Sequence, residues 1–159
     1  MDGFTCGNED LDKWLKTTAL TSDRKRVSRT WVWADDVSVV WACFALGADK
    51  IQRADLPSKV GRGDPNEIPA ILLQKFARHE ALTGKGLGPH LLLDALSRAV
   101  SAGEIVAARY IVVDAIDDNA LTFYQGHGFT PLPPPSTMRL VMKCSDAAAS
   151  LKDGGRRAS

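Results

Sequence analysis

Apolar residues recur at two different periods along this chain, and the changes of period divide it into elements. Leu11, Trp14 and Leu15, with Leu20 beyond them, fall at the spacing of one helix face. Asn8 stands ahead of Glu9 and Asp10, a side-chain cap followed by acidic residues, which predicts a helix start. The polar stretch Thr21 to Arg26 ends this region or carries a short second helix. Thr30 to Ala34 and Val37 to Ala45 are β-rich runs separated by Asp35-Asp36, a hairpin signal. The second run, from Val39 to Leu46, is apolar enough for a central strand. A long polar connection from Gly47 to Pro69 follows, and loops of that length are often functional. Ile68 to Arg78 predicts a strand, then a glycine-rich turn, then a helix from Leu87 to about Ala102. Tyr110 to Ala115 is a further strand. Asp118 or Asn119 caps a short helix, Ala120 to Gly126, and Gly128 stops it. Pro131 to Pro135 reads as a stiff connection and Met138 to Lys143 as the last strand. Residues 145–159, rich in Ala, Ser, Gly and Arg, predict a disordered tail. This order predicts an α/β or α+β mixed sheet in one domain over residues 1–144.

Composition changes this picture little. With 159 residues, the chain is long enough for one domain with a full core. Its 45% hydrophobic and 25% charged content is that of an ordinary soluble globular protein. No apolar run reaches the length of a membrane span, and Met1-Asp2-Gly3 does not open a signal peptide. Cys6, Cys43 and Cys144 form no C-x-x-C pair, so they read as free thiols of a reducing cytoplasm, with no metal expected.

Charge placement matters more. The net charge is only +1, yet Asp12 to Arg29 holds Lys13, Lys16, Arg24, Lys25, Arg26 and Arg29 against Asp12 and Asp23. A segment of net +4 on a chain whose remainder is −3 either attracts a polyanion locally or is a solvated helix end and loop.

The chemistry-bearing stretch is Thr83-Gly84-Lys85-Gly86-Leu87-Gly88-Pro89, between the strand and the helix. The first four N–H groups of a helix have no intrahelical partner, and the helix dipole adds partial positive charge there. Glycines admit a ligand close to the backbone, so the turn suits phosphate or pyrophosphate. It is neither a G-x-x-x-x-G-K-[ST] loop nor G-x-G-x-x-G, since Pro89 breaks the second frame.

This G-x-G-x-G turn resembles the coenzyme A pyrophosphate loop of the GNAT N-acetyltransferase superfamily, usually Q/R-x-x-G-x-G/A, with Thr83 in place of the Gln or Arg. A second mark of that superfamily, F-Y-x-x-x-G-F, falls on Phe123-Tyr124-Gln125-Gly126-His127-Gly128-Phe129, preceded by Asp118-Asn119-Ala120. The opening from Phe4 to Leu15 resembles the F-x-C/S-G-x-x-x-L-D-x-W-L of TacT-type acetyltransferase toxins. Ser28-Arg29-Thr30-Trp31-Val32 resembles their S-R-T-Y/W-V. Their R-L-A-V-D strand corresponds to Lys75-Phe76-Ala77-Arg78-His79, with Lys for Arg and His for the acidic end.

The resemblance implies a GNAT fold, a mixed and mostly antiparallel sheet flanked by helices; the family's first strand would lie ahead of Phe4, where three residues stand, so either the start is truncated relative to the family or the fold manages without that strand. It implies acetyl-CoA as cosubstrate and the α-amino group of aminoacyl-tRNA as acceptor, with translation inhibited as a result. A ribbon-helix-helix antitoxin, a homodimer and a cytoplasmic location are implied as well.

It also assigns roles residue by residue. The backbone of Phe76, Ala77 and Arg78 would pair with the pantetheine arm and polarise the thioester carbonyl. Thr83, Gly84, Lys85, Gly86, Leu87, Gly88 and Pro89 would hold the pyrophosphate. Asn119 and Phe123 are further cofactor candidates, although Asn119 also suits a cap and Phe123 suits packing. Tyr124 is the candidate general acid: with an ordinary pKa near ~10 it is protonated at neutral pH and can donate to a departing thiolate. A strong base is unnecessary, because a free α-amine with pKa near ~8 is partly neutral at physiological pH; His79 is the conceivable one. His90 and His127 suit surface or packing positions. Lys13, Lys16, Arg24, Lys25, Arg26 and Arg29 would contact tRNA acceptor phosphates. The four tryptophans suit core or interface, with one available to stack on the terminal adenine. These motifs leave open a protein or small-molecule amine as acceptor, or a coenzyme A-binding module without turnover.

Overall fold

The computed structural model describes residues 3–37 and 39–158, with side chains as far as Asp153. Helices α1 (Glu9–Thr17) and α2 (Ala19–Arg24) precede β1 (Arg29–Ala34), β2 (Val40–Gln52) and β3 (Glu67–Arg78). Then come α3 (Leu87–Val106), β4 (Tyr110–Asp114), α4 (Asp118–Gly126), β5 (Thr130–Pro131), β6 (Arg139–Lys143) and α5 (Cys144–Ala158). The strands lie in one sheet in the order β1-β2-β3-β4-β6-β5. The β1–β2, β4–β6 and β5–β6 pairs are antiparallel. Strands β3 and β4 are neighbours joined through α3, the helical crossover that a parallel pair requires. The expected mixed, mostly antiparallel sheet is therefore present, and among the described residues no strand precedes α1.

The chain groups into two compact units, Met1–Gly47 with Leu73–Ala95, and Ala48–Leu72 with Leu96–Ser159. The divisions fall inside β2, β3 and α3.

In the first unit, α1 starts as its sequence requires: the Asn8 carboxamide oxygen accepts from the Leu11 N–H at 3.1 Å. Its apolar stripe covers a core of Phe4, Leu15, Ala19, Val40, Cys43 and Ala77, with Leu11 and Trp14 at the margin. The β1–β2 hairpin pairs Trp31 with Phe44 and Trp33 with Ala42, then slips register between Trp33 and Ala34. Strand β2 runs on to Gln52, so the polar connection is shorter than expected. Gly47 to Gln52 alternates inner and outer positions and buries Ile51, a period of two that its polar composition hides.

The second unit has its own core of Ile51, Leu56, Ile68, Ala70, Tyr110, Val112, Leu132 and Val141. The segment between β2 and β3 is fastened to this core by Asp64, which is 4% exposed. The Asp64 carboxylate accepts from the Tyr110 hydroxyl at 2.6 Å and pairs with Arg109. Arg53 donates to the Asp64 carbonyl at 2.8 Å. A buried carboxylate of this kind needs such partners.

Two expectations change here. Asp117, not Asp118 or Asn119, caps α4, its carboxylate accepting from the Ala120 N–H at 2.8 Å. The expected disordered tail instead carries α5, with Ala147 fully buried. Alanine is the strongest helix former, and its small side chain packs closely, so low apolar content does not preclude a docked helix.

Candidate functional site

The candidate residues divide between the two units. The glycine turn, the end of β3 and the basic segment belong to the first; Asn119, Phe123 and Tyr124 belong to the second.

In the first unit, the end of β3 is irregular. Lys75 lies in the left-handed region at φ 57°, which breaks the pleat just before Phe76, Ala77 and Arg78. Its carbonyl accepts from the Cys43 thiol at 3.6 Å, and its ammonium lies 5.5 Å over the Trp14 ring. Nothing in the sequence signals this kink, since no glycine marks it. Ala77 is buried, while Phe76 and Arg78 are half-buried.

His79 then leaves the strand, its N–H donating to the Trp41 carbonyl at 2.7 Å. A 3-10 turn, Glu80–Leu82, leads into Thr83 to Gly86, and α3 begins at Leu87. Gly84 and Gly86 have φ of +78° and +72°, and a Cβ at either would meet nothing within 4 Å. Both glycines are therefore required by conformation, and the space over them is open. Thr83 and Lys85 are exposed, Leu87 and Gly88 half-buried, and Pro89 exposed in the first turn of α3. Open left-handed glycines, a helix start and an exposed lysine fit a pyrophosphate.

His79 does not fit a base. Its Nδ1 accepts from the Ala81 N–H at 3.0 Å, so Nε2 carries the proton and donates to the Gly3 carbonyl at 3.3 Å. The ring also packs edge-on to Phe4 and beside Trp41.

The basic residues are all exposed. Lys13 and Lys16 lie on α1, Arg24 ends α2, Lys25 and Arg26 form the turn after it, and Arg29 opens β1. Arg29 is paired with Asp23 at 3.0 Å. Each tryptophan is engaged within the unit. Trp31 stacks on Phe44, Trp33 donates to Asp94 at 2.8 Å, and Trp41 donates to Asp35 at 3.1 Å. Trp14 packs on the core.

In the second unit, Tyr124 lies on α4 and is 6% exposed. Its ring is flanked by Phe123 at 5.4 Å and Phe129 at 5.6 Å. Burial pushes its hydroxyl pKa far above the ordinary tyrosine value. Phe123 also packs on His127, whose Nδ1 donates to the Phe123 carbonyl at 2.8 Å. Asn119 is exposed in the first turn of α4 and is not its cap. Among the described residues, no group of three or more His, Cys, Asp or Glu could hold a metal ion. No described helix is long and apolar enough to cross a membrane.

No family model matches the chain. A tRNA-acetylating toxin of Mycobacterium tuberculosis (strain ATCC 25618 / H37Rv) is 35% identical over 150 residues, which is 94% of this chain and 89% of the relative. The structure of AtaT complexed with acetyl-methionyl-tRNAfMet superposes with a TM-score of 0.85 at 26% identity, over 92% of this chain and 88% of that one. AtaTR bound with AcCoA gives 0.81 at 27% identity, over 93% and 88%. A tyrosine-to-phenylalanine mutant of KacT shares the fold, at 0.84 and 23% identity over 92% and 89%.

Proposed function

This chain belongs to the tRNA-acetylating toxins, GNAT-type acetyltransferases of type II toxin–antitoxin systems, and we propose that Tyr124 is the general acid of its reaction. The chain uses acetyl-CoA to acetylate aminoacyl-tRNA on the α-amino group of the amino acid, which withdraws the charged tRNA from translation.

The residues of this chain would divide the work as follows. N–H groups from Gly84 to Gly88, with Lys85, bind the pyrophosphate. The backbone of Phe76 to Arg78 pairs with the pantetheine arm and polarises the thioester carbonyl, helped by the kink at Lys75. The neutral amine nitrogen attacks that carbonyl carbon. The tetrahedral intermediate collapses with cleavage of the C–S bond. The amine loses its proton to solvent, and the departing sulfur takes one from the Tyr124 hydroxyl, which solvent then restores. No protein base is needed, because the α-amine is partly neutral at physiological pH with a pKa near ~8.

The observation that supports this mechanism is the place of Tyr124 on α4, its ring set between Phe123 and Phe129, with a hydroxyl that, like any tyrosine's, keeps its proton at neutral pH. Lys13, Lys16, Arg24, Lys25, Arg26 and Arg29 contact tRNA phosphates, giving salt-dependent and largely sequence-independent affinity. The antitoxin is of ribbon-helix-helix type, the active form is a homodimer, and the cytoplasm, where charged tRNA is found, is the place of action.

Tyr124→Phe tests the mechanism. The variant should bind acetyl-CoA as before but acetylate charged tRNA on the order of 10²–10⁴-fold more slowly, the usual worth of a positioned acid. Labelled acetyl-CoA and mass spectrometry of the tRNA give the readout. Undiminished acetylation would remove Tyr124 from the mechanism.

A further inference from the structure

One imidazole ties three segments of the first unit together just ahead of the glycine turn. The His79 N–H donates to the Trp41 carbonyl of β2 at 2.7 Å. Its Nε2–H reaches the Gly3 carbonyl at 3.3 Å, and the next N–H, that of Glu80, donates to the Thr5 carbonyl at 2.8 Å. Its Nδ1 accepts from the Ala81 N–H at 3.0 Å and so caps the Glu80–Leu82 turn. Backbone bonds then run on toward the glycines. The Leu82 N–H donates to the His79 carbonyl at 3.0 Å, Thr83 to Glu80 at 3.0 Å, and Lys85 to Leu82 at 3.2 Å. The glycine turn therefore takes its place from a series of bonds that starts at the imidazole.

The first of those bonds depends on protonation. Nδ1 accepts only while it carries no proton; once protonated, it becomes a donor facing the Ala81 N–H, another donor. Packing resists rotation of the ring away from that clash, because Phe4, itself buried, lies edge-on at 5.9 Å and Trp41 lies at 5.4 Å. His79 is half-buried, so solvent reaches it, and histidine is the side chain that changes charge between about pH 5 and 8. The charged and titratable groups around it are Arg78 and Glu80 on either side in sequence and Asp35, which accepts from the Trp41 indole at 3.1 Å. Beyond Thr5 stand Cys6 and Asp12, joined by a bond from the Cys6 N–H to the Asp12 carboxylate at 2.9 Å.

We propose that His79 is a positioning residue for acetyl-CoA and makes its binding sensitive to pH. Neutral, His79 holds the turn that seats the pyrophosphate loop; protonated, it releases the Ala81 N–H and the loop loses affinity. Acetyl-CoA binding then weakens as pH falls below neutrality. This control rests on the reading of Thr83 to Gly88 as the pyrophosphate site.

The test compares the full chain with His79→Asn, His79→Ala and Gly84→Ala. Acetyl-CoA affinity is measured by calorimetry near pH 8 and near pH 5.5, on proteins shown by thermal melts to be folded at both. An asparagine carboxamide also accepts from the N–H two residues on, but it does not titrate. His79→Asn should therefore match the full chain near pH 8. Between the two pH values the full chain should lose about three- to tenfold more affinity than His79→Asn, the worth of one hydrogen bond. His79→Ala should be weaker than His79→Asn by about that factor at both. His90, exposed on the first turn of α3, and the ligand's phosphates titrate in every protein, so their share cancels in the comparison. Equal pH dependence in the full chain and His79→Asn would overturn the proton control. Undiminished affinity in folded His79→Ala would overturn the positioning role. Gly84→Ala tests the reading beneath: if it binds as well as the full chain, the turn is not the cofactor site and the inference falls with it. If Gly84→Ala binds weakly while the His79 variants behave like the full chain, the site stands and only the inference falls.

Discussion

At Gly84 and Gly86 two causes of damage can be separated. A Cβ at either position meets no atom within 4 Å, but φ is +78° and +72°. Alanine there costs only backbone strain, on the order of 1–2 kcal/mol. A ligand seated over the turn would meet the methyl group as well. Gly84→Ala and Gly86→Ala should therefore lower Tm by a few degrees and weaken acetyl-CoA binding at least tenfold, as measured by calorimetry. Equal affinity would remove the turn from the cofactor site. This turn was legible in the sequence because glycine itself reports left-handed backbone. Lys75 and Arg26 were not, since each adopts the same region without a glycine to mark it. His79 shows the converse: a histidine at the end of β3 suggested a base, and only the hydrogen bonds of both ring nitrogens reveal its structural use.

Elements were legible where period and cap agreed. For α1, the capping Asn8 and the stripe of Leu11, Trp14 and Leu15 gave concordant signals. For α4 the expected cap is Asp118 or Asn119, and that expectation misses Asp117, because all three residue types suit the position and composition alone does not choose among them. The choice is made by backbone conformation: Asp117 is extended, at φ −158° and ψ 179°, and its carboxylate reaches the Ala120 N–H. Asp117→Ala should cost about 1 kcal/mol, as lost caps typically do, while Asp118→Ala changes stability by less than about 0.5 kcal/mol. Because α4 carries Tyr124, the first substitution should also lower kcat more than the KM for acetyl-CoA. Thermal melts and steady-state kinetics of both variants check this. The reach of β2 to Gln52 and the helicity of α5 escaped for a different reason. In each, a few buried positions, Ile51 and Ala147, anchor a segment whose average composition is polar or small.

The buried thiols and tyrosine hydroxyls hold their protons more tightly in the folded than in the unfolded chain, and this sets the molecule's behaviour in alkali. In the first unit, burial pushes the Cys43 thiol from 9.0 up to about 12. In the second, burial and the Asp64 carboxylate push the Tyr110 hydroxyl from 10.0 to about 12. Below pH 9, folded and unfolded chains both keep these protons, and the groups add no pH dependence. Above pH 9 the unfolded chain begins to release them while the folded chain does not. Stability must then fall as pH rises, until the folded groups titrate near pH 12, with a slope of at most about 1.4 kcal/mol per pH unit for each group. Urea unfolding between pH 8 and 12 should show a midpoint that declines from about pH 9. Cys43→Ala should shift the whole curve by a constant through lost packing, and should make it shallower from pH 9 upward by one proton. A midpoint flat to pH 11 would contradict the burial of both groups. The same series bears on the reaction, because the Tyr124 hydroxyl is raised further still. Loss of acetylation above pH 9 should therefore follow the fraction unfolded, and activity per folded molecule should show no fall from ionisation of the acid.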